Sequence, residues 1–251
     1  MAATVIHSGP RPSPGSLRRS VALLRHFRLE QSDPDRFYRY LAADSVTQLA
    51  QWTELEGATL LDVGGGPGYF RDAFVAAGAR YVGIDADAGE LAGRGRPEPG
   101  SVLGSGMALP VATAAVDVAY SSNVLEHVPE PERMAEEMVR VTRPGGLVVL
   151  SYTLWMSPWG GHETSPWHYL GGERAARRYG RRHGKPPKNR YGESLFPLSA
   201  ARMLRWTREQ QGARLVAGLP RYHPSWACWV SRVPGLRELA TWNLLLVLRR
   251  T

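Results

Sequence analysis

Leu60-Leu61-Asp62-Val63-Gly64-Gly65-Gly66-Pro67-Gly68 carries an aliphatic run straight into a glycine-rich turn, with glycines at the alternate positions 64, 66 and 68. A buried strand ends this way when the backbone must turn tightly and approach a ligand with no side chain between them. Downstream, Tyr81-Val82-Gly83-Ile84-Asp85 reads as a second short strand that ends in a carboxylate. A glycine turn after one strand and an acid at the tip of the next can hold a nucleoside. Gly64, Gly65 and Gly66 admit the backbone, and Asp85, beside Ala86, accepts both ribose hydroxyls. The spacing narrows the ligand. A dinucleotide fingerprint beginning at Gly64 needs its third glycine at position 69, which is Tyr69; the third glycine here is Gly68. The turn by itself is also compatible with plain strand-to-helix punctuation.

Later blocks of the chain are more specific. Ser105-Gly106-Met107-Ala108-Leu109-Pro110 precedes Val116-Asp117-Val118-Ala119-Tyr120, which runs into Ser121-Ser122-Asn123-Val124-Leu125-Glu126-His127-Val128. Arg140-Val141-Thr142-Arg143-Pro144-Gly145-Gly146 then leads into the strand Leu147 to Ser151. With the D-x-G-x-G-x-G run headed by Asp62, this succession resembles the class I S-adenosylmethionine-dependent methyltransferases, in their broad small-molecule subgroup. The resemblance covers about residues 58 to 153; beyond that it is positional only. It implies an α/β fold, a Rossmann-like seven-stranded methyltransferase sheet with helices on both faces. It also implies S-adenosyl-L-methionine as cofactor, bound by Asp62, Gly64, Gly65, Gly66, Asp85, Ala86, Ser105, Gly106, Met107, Ser122 and Asn123. Ser105 departs from the family, which commonly has an Asp there accepting from the adenine amino group; a hydroxyl accepts without charge, so weaker anchoring is expected. Met107 would offer an apolar face to the ring, or equally fill a gap in the core. Ser122 and Asn123 end a strand at the carboxyl edge of the sheet, where ligands of open α/β sheets bind, so Asn123 and nearby backbone carbonyls can meet the cofactor's amino-acid part.

A sulfonium already activates its methyl group, so the protein must chiefly align a nucleophile in line with the carbon–sulfur bond and exclude water. Positioning of that kind supplies up to about 7–11 kcal/mol in favourable intramolecular cases. A general base is needed only for a protonated hydroxyl or an acidic carbon, where it contributes ~10²–10⁴-fold. Four histidines compete for that role. His127 belongs to the Glu126-His127 pair and is expected to orient the next loop. His162 in Gly160-Gly161-His162-Glu163 follows the fifth strand and has an adjacent acid; it is the first choice, with His168 second and His223 more remote. One cysteine and scattered histidines lack the chain spacing of a zinc site, so no metal is expected.

The elements that position these residues follow from periodicity. Leu17, Val21, Leu24 and Phe27 recur at helical spacing, and Asp33-Pro34 supplies an N-cap and first residue for a second helix to about Trp52. These form an N-terminal helical cap, residues 17–57, after a disordered segment, 1–16. The cofactor-binding core, 58–153, alternates strands at 59–63, 80–85, 101–103, 116–121 and 146–153 with helices at 68–77, 87–93 and 131–142, which implies a parallel sheet. A lid insertion, 154–197, follows strand 5. The C-terminal part, 198–251, adds a helix at 199–210 capped by Ser199 and two strands at 213–219 and 243–248. Residues 17–251 are thus read as one domain. Trp155 and Trp159 are expected to line the acceptor pocket, and Trp167, Tyr169, Trp226 and Trp229 to glue the insertions to the domain.

Composition bounds the rest. No stretch approaches the roughly 20 apolar residues of a membrane span, and a lone Cys228 excludes an internal disulfide, which suits the cytoplasm. The net charge of +8 concentrates at Arg174, Arg177, Arg178, Arg181, Arg182, Lys185, Lys188 and Arg190. Such a cluster can face an anionic acceptor, nucleic acid or plain solvent. The expected partner is a small-molecule or lipid-like methyl acceptor, which could be anionic. An RNA or tRNA methyltransferase is the lesser reading, because few aromatics interleave with the basic residues. A non-catalytic cofactor-binding protein and a dehydrogenase are the remaining rivals.

Overall fold

Leu60 and Leu61 are both fully buried although strand side chains alternate between faces, so β1 (Thr59–Val63) must be covered on both sides. The computed structural model, which describes residues 15–30 and 32–251, bears this out. The disordered segment expected at the N-terminus lies, as far as residue 14, outside the described residues. Two helices, α1 (Leu17–Phe27) and α2 (Pro34–Leu49), precede β1. Then come α3 (Arg71–Ala76), β2 (Arg80–Asp85), α4 (Ala88–Leu91), β3 (Ser101–Leu103), β4 (Val116–Ser122), α5 (Pro131–Val141) and β5 (Thr142–Thr153). The chain closes with α6 (Gly172–His183), α7 (Ala200–Glu209), β6 (Ala213–Pro220), α8 (Leu236–Ala240) and β7 (Asn243–Arg250).

The seven strands lie in the order β3-β2-β1-β4-β5-β7-β6. Strands β1 to β5 are parallel, and β7 slots between β5 and β6 antiparallel to both, with Leu150 opposite Leu246. The order reverses between β1 and β4, which opens a crevice outside their carboxyl ends. Alternation sorts the strand residues into two cores. Leu61, Val148, Leu150 and Leu246 pack with Met134 and Met138 of α5 and Met203 and Trp206 of α7. Leu60, Val149 and Val247 pack with Phe37 and Leu41 of α2 and Phe74 of α3. The second helix is therefore a layer of the sheet sandwich, and only its N-terminal end, through Pro34, Phe37 and Tyr38, reaches the crevice.

Local signals account for several element ends. The Ser16, Asp33 and Ser199 side chains accept the backbone N–H of Arg19, Arg36 and Arg202 and cap α1, α2 and α7. Helix α3 starts at Arg71 rather than at 68, because Gly68 (φ +79°) is still spent on the turn. Strand β5 starts earlier than its aliphatic run, at Thr142, which pairs with Val116 across a register shift. A buried guanidinium joins the layers: Arg221, 1% exposed and just past β6, donates to Ser45 of α2 (2.7 Å), Tyr120 (2.8 Å) and Ser122 (2.7 Å) of β4 and Ser151 of β5. Its own carbonyl accepts from Arg19, which is held by Asp44 through two 2.7 Å contacts. No helix among the described residues is long and apolar enough to cross a membrane.

Candidate active site

The turn after β1 is shaped by steric demand. Gly64 has φ +79°, and a Cβ there would lie 2.3 Å from Val124 Cγ2, so the β1 and β4 loops can meet only across bare backbone. Gly66 has φ +51° and a Cβ there would meet nothing within 4 Å. It opens on the crevice, and the glycine leaves a cradle that a methyl group would fill. The Gly66 N–H donates to Asp85 Oδ2 and the Asp87 N–H to Asp85 Oδ1, each at 3.0 Å. Two backbone donors therefore aim the carboxylate while each oxygen keeps a lone pair for a ribose hydroxyl. Burial raises the Asp85 pKa above the usual carboxylate value, and these donors oppose the rise. Behind it, Asp62 is 2% exposed and accepts from Tyr81 Oη at 2.8 Å; burial pushes its pKa up to about 7, with the hydrogen bond working against that.

Asp62, Gly64, Gly65, Gly66, Asp85, Ala86, Gly106, Ser122 and Asn123 all line one cleft of about 1430 Å³. Ser105 and Met107 are not among its lining residues, contrary to expectation. Ser105 Oγ turns back on its own loop and accepts the Met107 N–H at 3.2 Å, and the Met107 side chain packs on the α5–α7 core. Gly104 and Gly106 face the cleft instead. Asn123 also differs from the role given to its side chain. Its backbone is left-handed (φ 58°), its N–H donates to Ser151 O, and its Oδ1 accepts from Asn243 Nδ2 at 2.6 Å. The amide thus braces β7 against the turn after β4. Ser122 Oγ is likewise taken, by Arg221.

The far wall of the cleft is aromatic. Phe27, Trp159 and Trp242 contact one another with ring centroids 4.3–5.9 Å apart and join the end of α1 to the segments after β5 and before β7. Phe37 and Tyr38 of α2 line the same wall. Trp159 lines the cleft, whereas Trp155 does not and packs on His168 and Tyr191. Trp226 and Trp229 are 71% and 52% exposed, so they do not glue anything to the domain among the described residues. Of the basic cluster, Lys188 and Arg190 line the cleft; Lys188 reaches Glu90 across its mouth at 3.2 Å. The α6 arginines are exposed, with Arg178 stacked over Trp167.

The two candidate bases separate. His162 lines the cleft with a left-handed backbone (φ 48°), and its Nε2 is buried without a hydrogen-bond partner. Burial, with lesser contributions from His127 and His168, lowers its pKa to about 3, so the ring is neutral. A base that weak is poorly matched to neutral pH on its own. His168, 1% exposed, holds the Ser157 carbonyl at 3.2 Å, stacks among Trp155 and Tyr169 and is absent from the cleft lining. It supports the loop from behind. His127, by contrast, reaches the lining, and its Nδ1 is 2.6 Å from the Ser194 carbonyl. Next to it, Glu126 is 1% exposed; one oxygen accepts the Thr153 N–H at 2.9 Å and the other has no partner. Burial raises its pKa. Chain spacing hid the proximity of Glu126 and His127 to His162, since the histidine arrives on the loop after β5.

Comparison with known proteins agrees with this geometry. A methyltransferase domain model matches residues 61–150. Uncharacterized methyltransferases of Mycolicibacterium gilvum and Mycobacteroides abscessus are 55% and 54% identical to the chain, covering 100% and 93% of it and 100% and 95% of their own lengths. An S-adenosylmethionine-dependent methyltransferase structure from Mesorhizobium loti superposes with TM-score 0.57 at 19% identity, over 83% of this chain and 98% of that one. Geranyl diphosphate methyltransferase in complex with S-adenosylmethionine gives TM-score 0.55 at 16% identity, over 95% and 92%. The glycine cradle, the aimed Asp85 carboxylate and the strand order, together with these relatives, make the chain a member of the class I S-adenosylmethionine-dependent methyltransferases.

Proposed function

We propose that this methyltransferase acts on a small-molecule or lipid-like acceptor with an apolar body. The observation that carries the reading is the composition of one continuous cleft. Its floor is the Gly64–Gly66 turn and Asp85, its far wall is Phe27, Phe37, Trp159 and Trp242, and Lys188 and Arg190 stand among its lining. At about 1430 Å³ it exceeds the roughly 300–1,000 Å³ of an ordinary single-ligand pocket, so cofactor and acceptor fit side by side. S-adenosylmethionine supplies an electrophilic methyl group when bound. The chain would hold it through Asp85 on the ribose, Asp62 behind the turn, and the bare backbone of Gly64, Gly65, Gly66, Gly106 and Asn123. The aromatic rings among the lining would exclude water and orient an apolar acceptor, while Lys188 and Arg190 are paired with Glu90 and Glu193. His162, neutral through burial, offers a lone pair on the acceptor side.

The single cysteine, a free thiol, supports a cytoplasmic setting. The exposed arginines of α6 lie outside the cleft lining, which is why small acceptors are favoured over RNA. Incubation with methyl-labelled cofactor and a panel of apolar acids, phenols, isoprenoids and total RNA tests the choice. Label on an apolar small molecule, lost on Asp85→Ala, is expected. Label on RNA alone would overturn the acceptor class.

A further inference from the structure

Glu126 and His127 stand on a short 3-10 turn after β4, Leu125–His127, and His162 begins a similar turn after β5, His162–Thr164. One ligand-type atom from each lies within 4.8 Å of the other two. Each of the three side chains keeps one such atom without a hydrogen-bond partner. Glu126 Oε1 is taken by the Thr153 N–H, which fixes the carboxylate, but Oε2 is buried with no partner. His162 Nε2 is buried with no partner as well. His127 Nδ1 faces the Ser194 carbonyl at 2.6 Å, so Nδ1 carries the hydrogen and Nε2 keeps its lone pair. That second-sphere carbonyl is the usual means of fixing the tautomer of a metal-binding imidazole. The two half-buried imidazoles meet edge to face with centroids 5.0 Å apart, and beside them the buried Glu126 Oε2 is left without a donor, a cost that a cation there would remove. His162 also adopts a left-handed backbone (φ 48°), as Ala114 and Asn123 do.

We propose that Glu126, His127 and His162 form a divalent-cation site. Two imidazoles and one carboxylate suit a first-row ion such as Zn²⁺, Mn²⁺ or Fe²⁺ rather than Ca²⁺ or Mg²⁺, which prefer all-oxygen shells. Three protein ligands would leave positions open, as in catalytic rather than structural sites, and His127 and His162 line the cleft. On the methyl-transfer reading, the natural occupant is an oxygen of the acceptor. A hydroxyl bound there gives its proton to solvent water. The oxygen lone pair then forms the bond to the methyl carbon, and the carbon–sulfur bond breaks with its electron pair returning to sulfur. The acceptor class is thereby narrowed to hydroxyl compounds; this step rests on methyl transfer, whereas the cation site does not.

The test is a Co²⁺ titration of full-length, chelator-stripped protein followed by visible absorption, repeated with Zn²⁺ by calorimetry. One saturable equivalent with ligand-field bands is expected. His162→Ala and Glu126→Gln should each weaken it by about 10-fold or more, and His223→Gln, outside the cleft, should leave it unchanged. S-adenosylmethionine affinity, measured on the same samples, reports that the variants are folded. Intact cofactor binding with no saturable Co²⁺ uptake by the wild type, or with equal uptake by His162→Ala, overturns the site. Loss of cofactor binding by the wild type would instead strike the methyltransferase reading.

Discussion

Replacing Gly66 by Ala places a methyl group on the cleft floor without touching the packed core. Gly66 adopts φ +51°, inside the narrow left-handed region that alanine can still enter, at a cost of roughly 1–2 kcal/mol. Nothing lies within 4 Å of the new Cβ, so no steric term adds to that cost in the free protein. For a chain of this size the melting temperature should fall by about 2–8 °C, at 2–4 °C per kcal/mol. The larger effect is expected on the cofactor, which must approach this backbone closely. A displaced contact worth 1.4 kcal/mol is a tenfold loss of affinity, and calorimetric titration should show a loss of about tenfold or more. Gly64→Ala is the counterpart. Its Cβ would fall 2.3 Å from Val124 Cγ2, so stability should drop further than in Gly66→Ala. Gly66→Ala with wild-type cofactor affinity would refute the assignment of this turn as the cofactor floor.

Asp62 ties stability to pH. Its folded pKa of about 7 exceeds the ordinary value of 3.8, so between about pH 4 and 7 the folded protein binds more protons than the unfolded chain. That contribution is complete below pH 4 and is lost as pH rises through 7. The melting temperature of Asp62→Asn should therefore gain on the wild type as pH goes from 4 to 7, and parallel curves would show that the carboxyl does not titrate there. Arg221→Met removes a buried cation on which Ser45, Tyr120, Ser122 and Ser151 all rely. It should cost about 1–3 kcal/mol or more in urea unfolding, because buried hydroxyls lose their donor, and a loss below about 1 kcal/mol would show that the network is not a structural tie.

The core of this protein is legible in its sequence because its signals are local. Aliphatic runs at strand period, glycines where the backbone must turn left-handed, and caps such as Ser199 act within a few residues, and the family resemblance supplied their order. Asp85 could be singled out because an acid at a strand tip after a glycine turn needs only two neighbouring strands to reach the cleft. Side-chain direction was the weak point even there. Ser105, at the position where the family commonly has Asp, bonds its own loop, and Asn123 braces Asn243.

Distance along the chain concealed everything that depends on which loops share an edge of the sheet. Phe27, Trp159 and Trp242 come from three separate segments and meet only because β7 is inserted beside β5 and α1 folds back over that edge. His162 reaches Glu126 and His127 because β4 and β5 are parallel neighbours whose following turns emerge on the same side. No periodicity encodes such a meeting. Short-range propensity settles where a strand begins and ends, whereas crossover connections decide whose side chains converge, and that choice belongs to the packed sheet as a whole.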